Sequence, residues 1–193
     1  MKRLWLVALA LAFAAALMLA GCGGGGEQGG NQGESAGTAK DTGVFSMTIH
    51  DGWTAYDVKD VFSDGGIIDP TVLQIGKGTS AEADLLTYPY LQVKYYEPAT
   101  TMYKDVQGWY DNVAELEPIT IGTRTWSGFN GDSAGYRWTI LFSGEPGEPQ
   151  FQVSLTSGIQ EGMTASIEDA DVLEMIASIS ADADKNAPAD EKQ

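Results

Sequence analysis

Strict alternation of apolar and polar residues, repeated in several short stretches, constrains this chain more than any other feature. Tyr136, Trp138, Ile140 and Phe142 take every second position, as do Phe151, Val153 and Leu155. A period of two sends such side chains to one face of an extended backbone, so each stretch predicts a strand with one buried face. Residues 144–149 between them, GEPGEP, predict a hairpin connection. Phe45, Met47 and Ile49 alternate in the same way ahead of the turn His50-Asp51-Gly52. Leu91, Val93 and Tyr95 alternate against Gln92, Lys94 and Tyr96. Weaker strand patterns occupy 58–62, 71–75 and 119–123, and a further one over 124–129 leads to a predicted Asn130-Gly131 turn.

The period changes twice. Met102, Val106, Trp109, Val113 and Leu116 recur at spacings of four and three, which predicts one apolar stripe of a helix, capped at Thr100 or Thr101 and ended by Pro118. A second helix is predicted over 167–179, with Val172, Met175, Ile176 and Ile179 inward and Ser166 with Asp169 as its cap pair. Strands joined by short turns imply an antiparallel sheet. The expected fold class is therefore α+β: an antiparallel β-sheet with two main helices packed on it.

Two basic residues, Lys2 and Arg3, precede an apolar run from Leu4 to Ala20, the layout of a secretory signal. The segment Leu19-Ala20-Gly21-Cys22 resembles the bacterial lipobox. That resemblance implies cleavage before Cys22 and attachment of acyl chains to it, and Cys22 is the only cysteine among 193 residues. Two long acyl chains, at about 0.8 kcal/mol per buried CH₂, hold a protein on a membrane. The expected location is extracytoplasmic, lipid-anchored to the cell membrane.

The predicted organisation follows. Residues 1–21 form the lipoprotein signal peptide. Residues 22–42, rich in Gly, Gln, Glu and Ser and without a large apolar residue apart from the lipidated cysteine, form a flexible tether. Residues 43–181 form one α+β domain, and 182–193 a disordered acidic tail. With Lys2 and Arg3 removed, 9 basic residues face 27 acidic ones, a net charge of −18. Such a chain repels phosphate backbones, so nucleic acid is excluded as a partner. One cysteine and one histidine leave too few ligands for most zinc chemistry, and no metal or cofactor is expected.

The words Phe45-Ser-Met-Thr-Ile-His-Asp-Gly-Trp53, the pair Ile121-Gly122, the two long strands after it and the closing Ile176–Ile179 resemble PsbP-like domains. The resemblance spans residues 43–181, with His50 where proline is usual. It implies an α/β/α sandwich and an adaptor or interaction role, and it supplies no catalytic residues.

Several motifs invite chemistry. Gly131-Asp-Ser133-Ala-Gly135 spells a serine-hydrolase word, but a nucleophile elbow needs a later histidine and none follows; Ser35 repeats the word within the tether. The lone His50 reads as a turn residue. Gly76-Lys-Gly-Thr79 lacks the order of a phosphate loop. Asp57, Asp60, Asp64 and Asp69, and the group Glu168, Asp169, Asp171 and Glu174, read as solvated acidic faces. Among the aromatics, Trp109 and Trp138 fall on apolar stripes and are expected in the core. Trp53, Tyr96 and Trp126 are the candidate binding surface. The expected function is thus a non-catalytic binding or adaptor lipoprotein of the cell envelope, with an envelope protein as partner. Capture of a small ligand or glycan is the alternative, and a serine hydrolase acting through Ser133 the weaker one.

Overall fold

The computed structural model describes residues 37–60, 65–104 and 106–182, which belong to the compact unit Ser35–Gln193. Cys22, Ser35, Asp64 and residues 183–193 lie outside the described residues. Among the described residues, ten strands and one α-helix make an antiparallel, β-dominated α+β domain. In chain order the strands are β1 (Gly37–Asp41), β2 (Phe45–His50), β3 (Trp53–Lys59), β4 (Ile68–Lys77) and β5 (Tyr90–Tyr96). They continue with β6 (Asp111–Ile121), β7 (Arg124–Ser133), β8 (Tyr136–Ser143) and β9 (Gln150–Thr156). Helix α1 (Ala170–Ala177) and the short β10 (Ser180–Ala181) close the described chain.

Seven strands form one sheet in the order β3-β4-β5-β9-β8-β7-β6, and β1-β2-β10 form a second. The alternation read from sequence sets the register. Tyr95 lies opposite Phe151, Val93 opposite Val153 and Leu91 opposite Leu155. These residues are buried, and they share one core with Phe45, Met47 and Ile49 of β2 and with Val172, Met175 and Ile176 of α1. The small sheet and α1 thus cover one face of the large sheet. On the other face Phe129, Ile140 and Phe142 make a second, smaller core.

That second core explains the main departure from expectation. Residues 102–104 and 106–116 are not a helix. Met102 and Val106 are buried against Phe129, Ile140 and Phe142, whereas Trp109, on the same predicted stripe, is 73% exposed. A single 3₁₀ turn, Gln107–Trp109, follows, and from Asp111 the chain is strand β6 paired with β7. Gly108 and the β-branched residues weaken a helix here, and the neighbouring ten-residue β7 offers a continuous ladder of hydrogen bonds. Shifts of register between Asp111 and Ala114 and between Leu116 and Ile119 place Leu116 and Ile119 against the core at a spacing of three. The spacing imitates a helix but arises from bulges. Pro118 is accommodated there because β6 is an edge strand. Of the two main helices expected, one is present among the described residues.

Three smaller corrections have equally local causes. The tether was expected through residue 42, yet Gly37–Asp41 pair with β2 from Gly37 opposite His50 to Asp41 opposite Ser46. Backbone pairing to a hydrophobic strand orders them without any large apolar side chain of their own. Asn130-Gly131 lie inside β7 rather than in a turn. Asn130 accepts a 2.6 Å hydrogen bond from Thr139, and a Cβ on Gly131 would stand 2.8 Å from that of Tyr110. The turn falls at Ala134 and Gly135, whose φ values of 53° and 85° suit a tight hairpin. Ser166 and Asp169 do interact ahead of α1: the Ser166 N–H donates to Asp169 Oδ2 at 3.1 Å, although Asp169 makes no side-chain cap to the helix itself.

Candidate functional site

Trp53 and Trp126 do not belong to a binding surface. Trp126 faces the first core from β7 and is fully buried, since β7 and β6 both turn this side toward α1 and the small sheet. Trp53 opens β3 with 6% of its surface exposed and donates from Nε1 to Asp171 Oδ2 at 2.8 Å. Lys77 lies 3.1 Å from the same carboxylate and 5.4 Å from the Trp53 ring centroid. These three residues tie the start of β3 and the end of β4 to helix α1.

Partial burial of Asp171 favours its neutral form, but the hydrogen bonds from Trp53 and Lys77, with the Lys77 charge, outweigh it and hold the carboxyl below its usual range. A depressed folded-state pKa adds stability above the unfolded value, near 3.9, that is lost as pH falls through the folded one. The Asp171→Asn protein is therefore expected to be about 1 kcal/mol less stable at neutral pH. Its melting temperature should fall less than that of the wild type between about pH 4 and more acidic conditions, as followed by circular dichroism.

Tyr96 is partly buried against the second core, on the side of β5 away from the first. Its hydroxyl donates to Gln152 Oε1 at 3.3 Å, and the Lys94 ammonium lies 5.1 Å from its ring centroid. Gln74 and Gln92 are joined at 3.3 Å on the same face. Amides and hydroxyls here mostly satisfy one another.

The hydrolase residues are apart. Ser133 ends β7, and its carbonyl accepts a 3.2 Å hydrogen bond from Trp138 Nε1. His50 ends β2 in the other sheet, with Nδ1 donating to the Asp51 carbonyl at 3.2 Å and Nε2 3.6 Å from Glu174. Among the described residues no hydrogen bond joins Ser133 to an imidazole. The Gly76–Thr79 word is a closed turn: Thr79 Oγ1 donates to the Gly76 carbonyl at 3.2 Å and accepts from the Tyr56 hydroxyl at 2.9 Å. Of the acidic residues, Asp57 lies 2.6 Å from Lys40, Asp69 accepts from Thr71, and Asp169 and Asp171 share Lys77.

A concavity of about 420 Å³ opens at the end of the large sheet where β8 leads toward β9, beside the segment that replaced the expected helix. Thr125 and Ser127 of β7, with Phe142 and Ser143 of β8, form its floor. Pro118 of β6 lines one side, Lys104 another, and Glu145 and Glu148 of the β8–β9 connection face them. Sequence supplies each wall. Gly144 turns the chain with φ of 91°, and a Cβ there would stand 2.5 Å from the Pro149 carbonyl oxygen. Gln150, 1% exposed, pins the crossing segment: its Nε2 donates to the Thr100 carbonyl at 2.7 Å and its Oε1 accepts from the Met102 N–H at 3.4 Å. That places Lys104 at the rim, 3.3 Å from Glu145. Arg124 is held by a 3.3 Å hydrogen bond to the Pro149 carbonyl and by stacking over Phe151, 4.7 Å from its ring centroid.

The cleft therefore sets two cations and two carboxylates around a hydroxyl-rich floor. Its size falls within the usual range of small-molecule sites. Sequence reasoning passed over these residues because 144–149 was read only as a turn. The visible signal was the repeated Gly-Glu-Pro, which places two carboxylates on one loop.

Fold and cleft together define a β-dominated α+β domain with an amphoteric pocket at one end of the large sheet. No protein-family model matches the chain, and no curated protein matches it. A crystal structure from Bacteroides thetaiotaomicron VPI-5482 is similar at a TM-score of 0.42 and 15% identity, over 76% of this chain and 48% of that one. The chain spans about half the length of that protein.

Proposed function

We propose that this protein is a lipid-anchored, extracytoplasmic, non-catalytic binding lipoprotein whose domain is PsbP-like and whose cleft holds a small polar ligand. The observation that carries the ligand reading is the pairing of Lys104 and Arg124 with Glu145 and Glu148 around one cavity. In a chain with a net charge of −16 an anionic group is repelled almost everywhere, and these two cations offer it a local refuge. The carboxylates complement a positive group on the same ligand. A zwitterion such as a free amino acid or short peptide matches both. The anchor rests on the lipobox-like segment ending at Cys22. The PsbP-like assignment is supported by strand β2, its turn into Trp53, and a closing helix ahead of Ile179, with the segment after β5 covering the face on which a helix was expected.

Thermal-shift measurements on the domain tests the ligand reading. An amino acid or short peptide should raise the wild-type melting temperature, and Lys104→Ala or Glu148→Gln should weaken binding about tenfold, the worth of one charge-assisted hydrogen bond. An unmoved melting temperature across amino acids, short peptides and amino sugars would contradict it. A second reading, a protein adaptor, is favoured by Trp109, which stands 73% exposed on the turn before β6 and could act as an anchor. In a pull-down from detergent-solubilised membranes, a partner lost with Trp109→Ala but retained with Glu148→Gln would select that reading.

A further inference from the structure

We propose that the end of the large sheet at which the chain enters the domain is a docking surface for a lipid bilayer, with Leu86, Ile159 and Met163 as its contacts. The inference rests on the lipid-anchor reading above. Three connections meet at this end. Gly37, the first described residue, lies opposite His50, and the turn after His50 brings the Gly52 carbonyl within 2.8 Å of the Gly78 N–H. Gly78 lies against Met163, close enough that a Cβ on it would stand 3.0 Å from the Met163 Cε. The Thr87 carbonyl accepts from the N–H groups of Ile159 and Gln160 at 2.8 and 2.9 Å. The β2–β3 turn, the β4–β5 connection and the β9–α1 connection thus form one surface beside the N-terminal entry.

Three aliphatic side chains project from it. Leu86 is 73% exposed, Ile159 61% and Met163 36%. Leu85, next in the chain, is buried, so the 3₁₀ turn Glu82–Leu86 gives one leucine to the interior and presents the other outward. Clustered aliphatics at one end of a strongly charged protein mark a contact surface. The position of the chain entry says what covers it. Only fourteen residues lie between Cys22 and Gly37, a length that at about 3.3–3.6 Å per residue cannot carry this end more than roughly 50 Å from the anchor. At the resulting effective concentration even weak apolar docking is populated. The side chains would enter the headgroup–acyl boundary and set the orientation of the domain.

Charge at this end narrows the lipid. Asp51, Glu82 and Glu161 are exposed here, and Lys77 is engaged by Asp169 and Asp171. An anionic surface is therefore repelled, and the docking partner is a zwitterionic bilayer. On phosphatidylglycerol-rich membranes docking should weaken at low salt and recover as salt screens the repulsion.

The test uses full-length acylated protein in phosphatidylcholine vesicles carrying a quencher in the upper acyl region. A fluorophore is placed on Leu86→Cys, on Ile159→Cys, or on Ile68→Cys at the opposite end of the sheet. Flotation with the vesicles reports the anchor itself. If flotation fails, the anchor reading fails, and the same labels are then measured with Cys22 replaced by an N-terminal hexahistidine on nickel-chelating phosphatidylcholine vesicles. Either way, quenching several-fold stronger at 86 and 159 than at 68 is expected, and the triple variant Leu86→Ser, Ile159→Ser, Met163→Gln should abolish orientation without lowering the melting temperature. Equal quenching at all three positions would overturn the proposal. So would protection of the Leu86 label without lipid, rising with protein concentration, because a second copy would then cover the surface.

Discussion

Replacing Trp126 by alanine is expected to cost about 3–5 kcal/mol of stability, the usual range for a large aromatic removed from a packed core. Trp126 is fully buried, lies opposite Ile119 of β6, and contributes to the core shared with α1 and the small sheet. Its indole N–H is also buried with no hydrogen-bond partner among the described residues. An unsatisfied buried donor costs about 1–3 kcal/mol, so Trp126→Phe removes a penalty along with part of the packing. The phenylalanine protein should lose less than about 1.5 kcal/mol, within the range of a conservative core swap. Urea denaturation followed by fluorescence and circular dichroism measures both. Were Trp126 a surface binding residue, the alanine variant would stay within about 0.5 kcal/mol of the wild type.

The second large effect is expected at Gly128, in the middle of β7. A Cβ there would stand 1.9 Å from the carbonyl oxygen of Ile140 and 3.0 Å from the Cα of Leu141, both backbone atoms of β8. No side-chain rotation relieves that contact. Relief requires β7 and β8 to separate, which opens a ladder running from Ser127 opposite Phe142 to Ser133 opposite Tyr136. Gly128→Ala is therefore expected to lose about 3–5 kcal/mol or to fail to fold. Gly147→Ala is the control. That glycine has φ of 100° with open space around it, so only backbone strain is at stake, about 1–2 kcal/mol. Thermal melts of the two variants side by side separate the steric effect from the conformational one, and equal losses would refute this account of Gly128.

The central strands were legible because burial on one face writes a period of two into the residues themselves. Phe45 to Ile49, Leu91 to Tyr95 and Phe151 to Leu155 all carry it, and so does the inward side of α1 at a period near 3.6. Edge strands were not legible, since pairing on one side orders a backbone without demanding apolar side chains. The strand Gly37–Asp41 shows this, being almost wholly exposed. Strand β6 misled for a related reason: bulges put Leu116 and Ile119 three apart, and Met102 and Val106 were apolar for a different core. The cleft was illegible because it depends on β7, on the β8–β9 connection and on a crossing segment pinned by Gln150. Such convergence appears only when the register is known. Trp109 and Trp126 exchanged their expected places because Trp109 falls on a 3₁₀ turn before β6 instead of on a helix stripe, and Trp126 falls on the side of β7 that faces the first core.

Native mass spectrometry of the full-length protein extracted from its own membranes tests the central claim, an anchored ligand-binding module, most directly. The account predicts a chain that begins at Cys22, carries acyl chains and retains a small polar adduct that Ser127→Trp, by filling the cleft, removes. A chain that keeps its leader without acyl groups, a wild-type protein without an adduct, or an adduct indifferent to Ser127→Trp would contradict it.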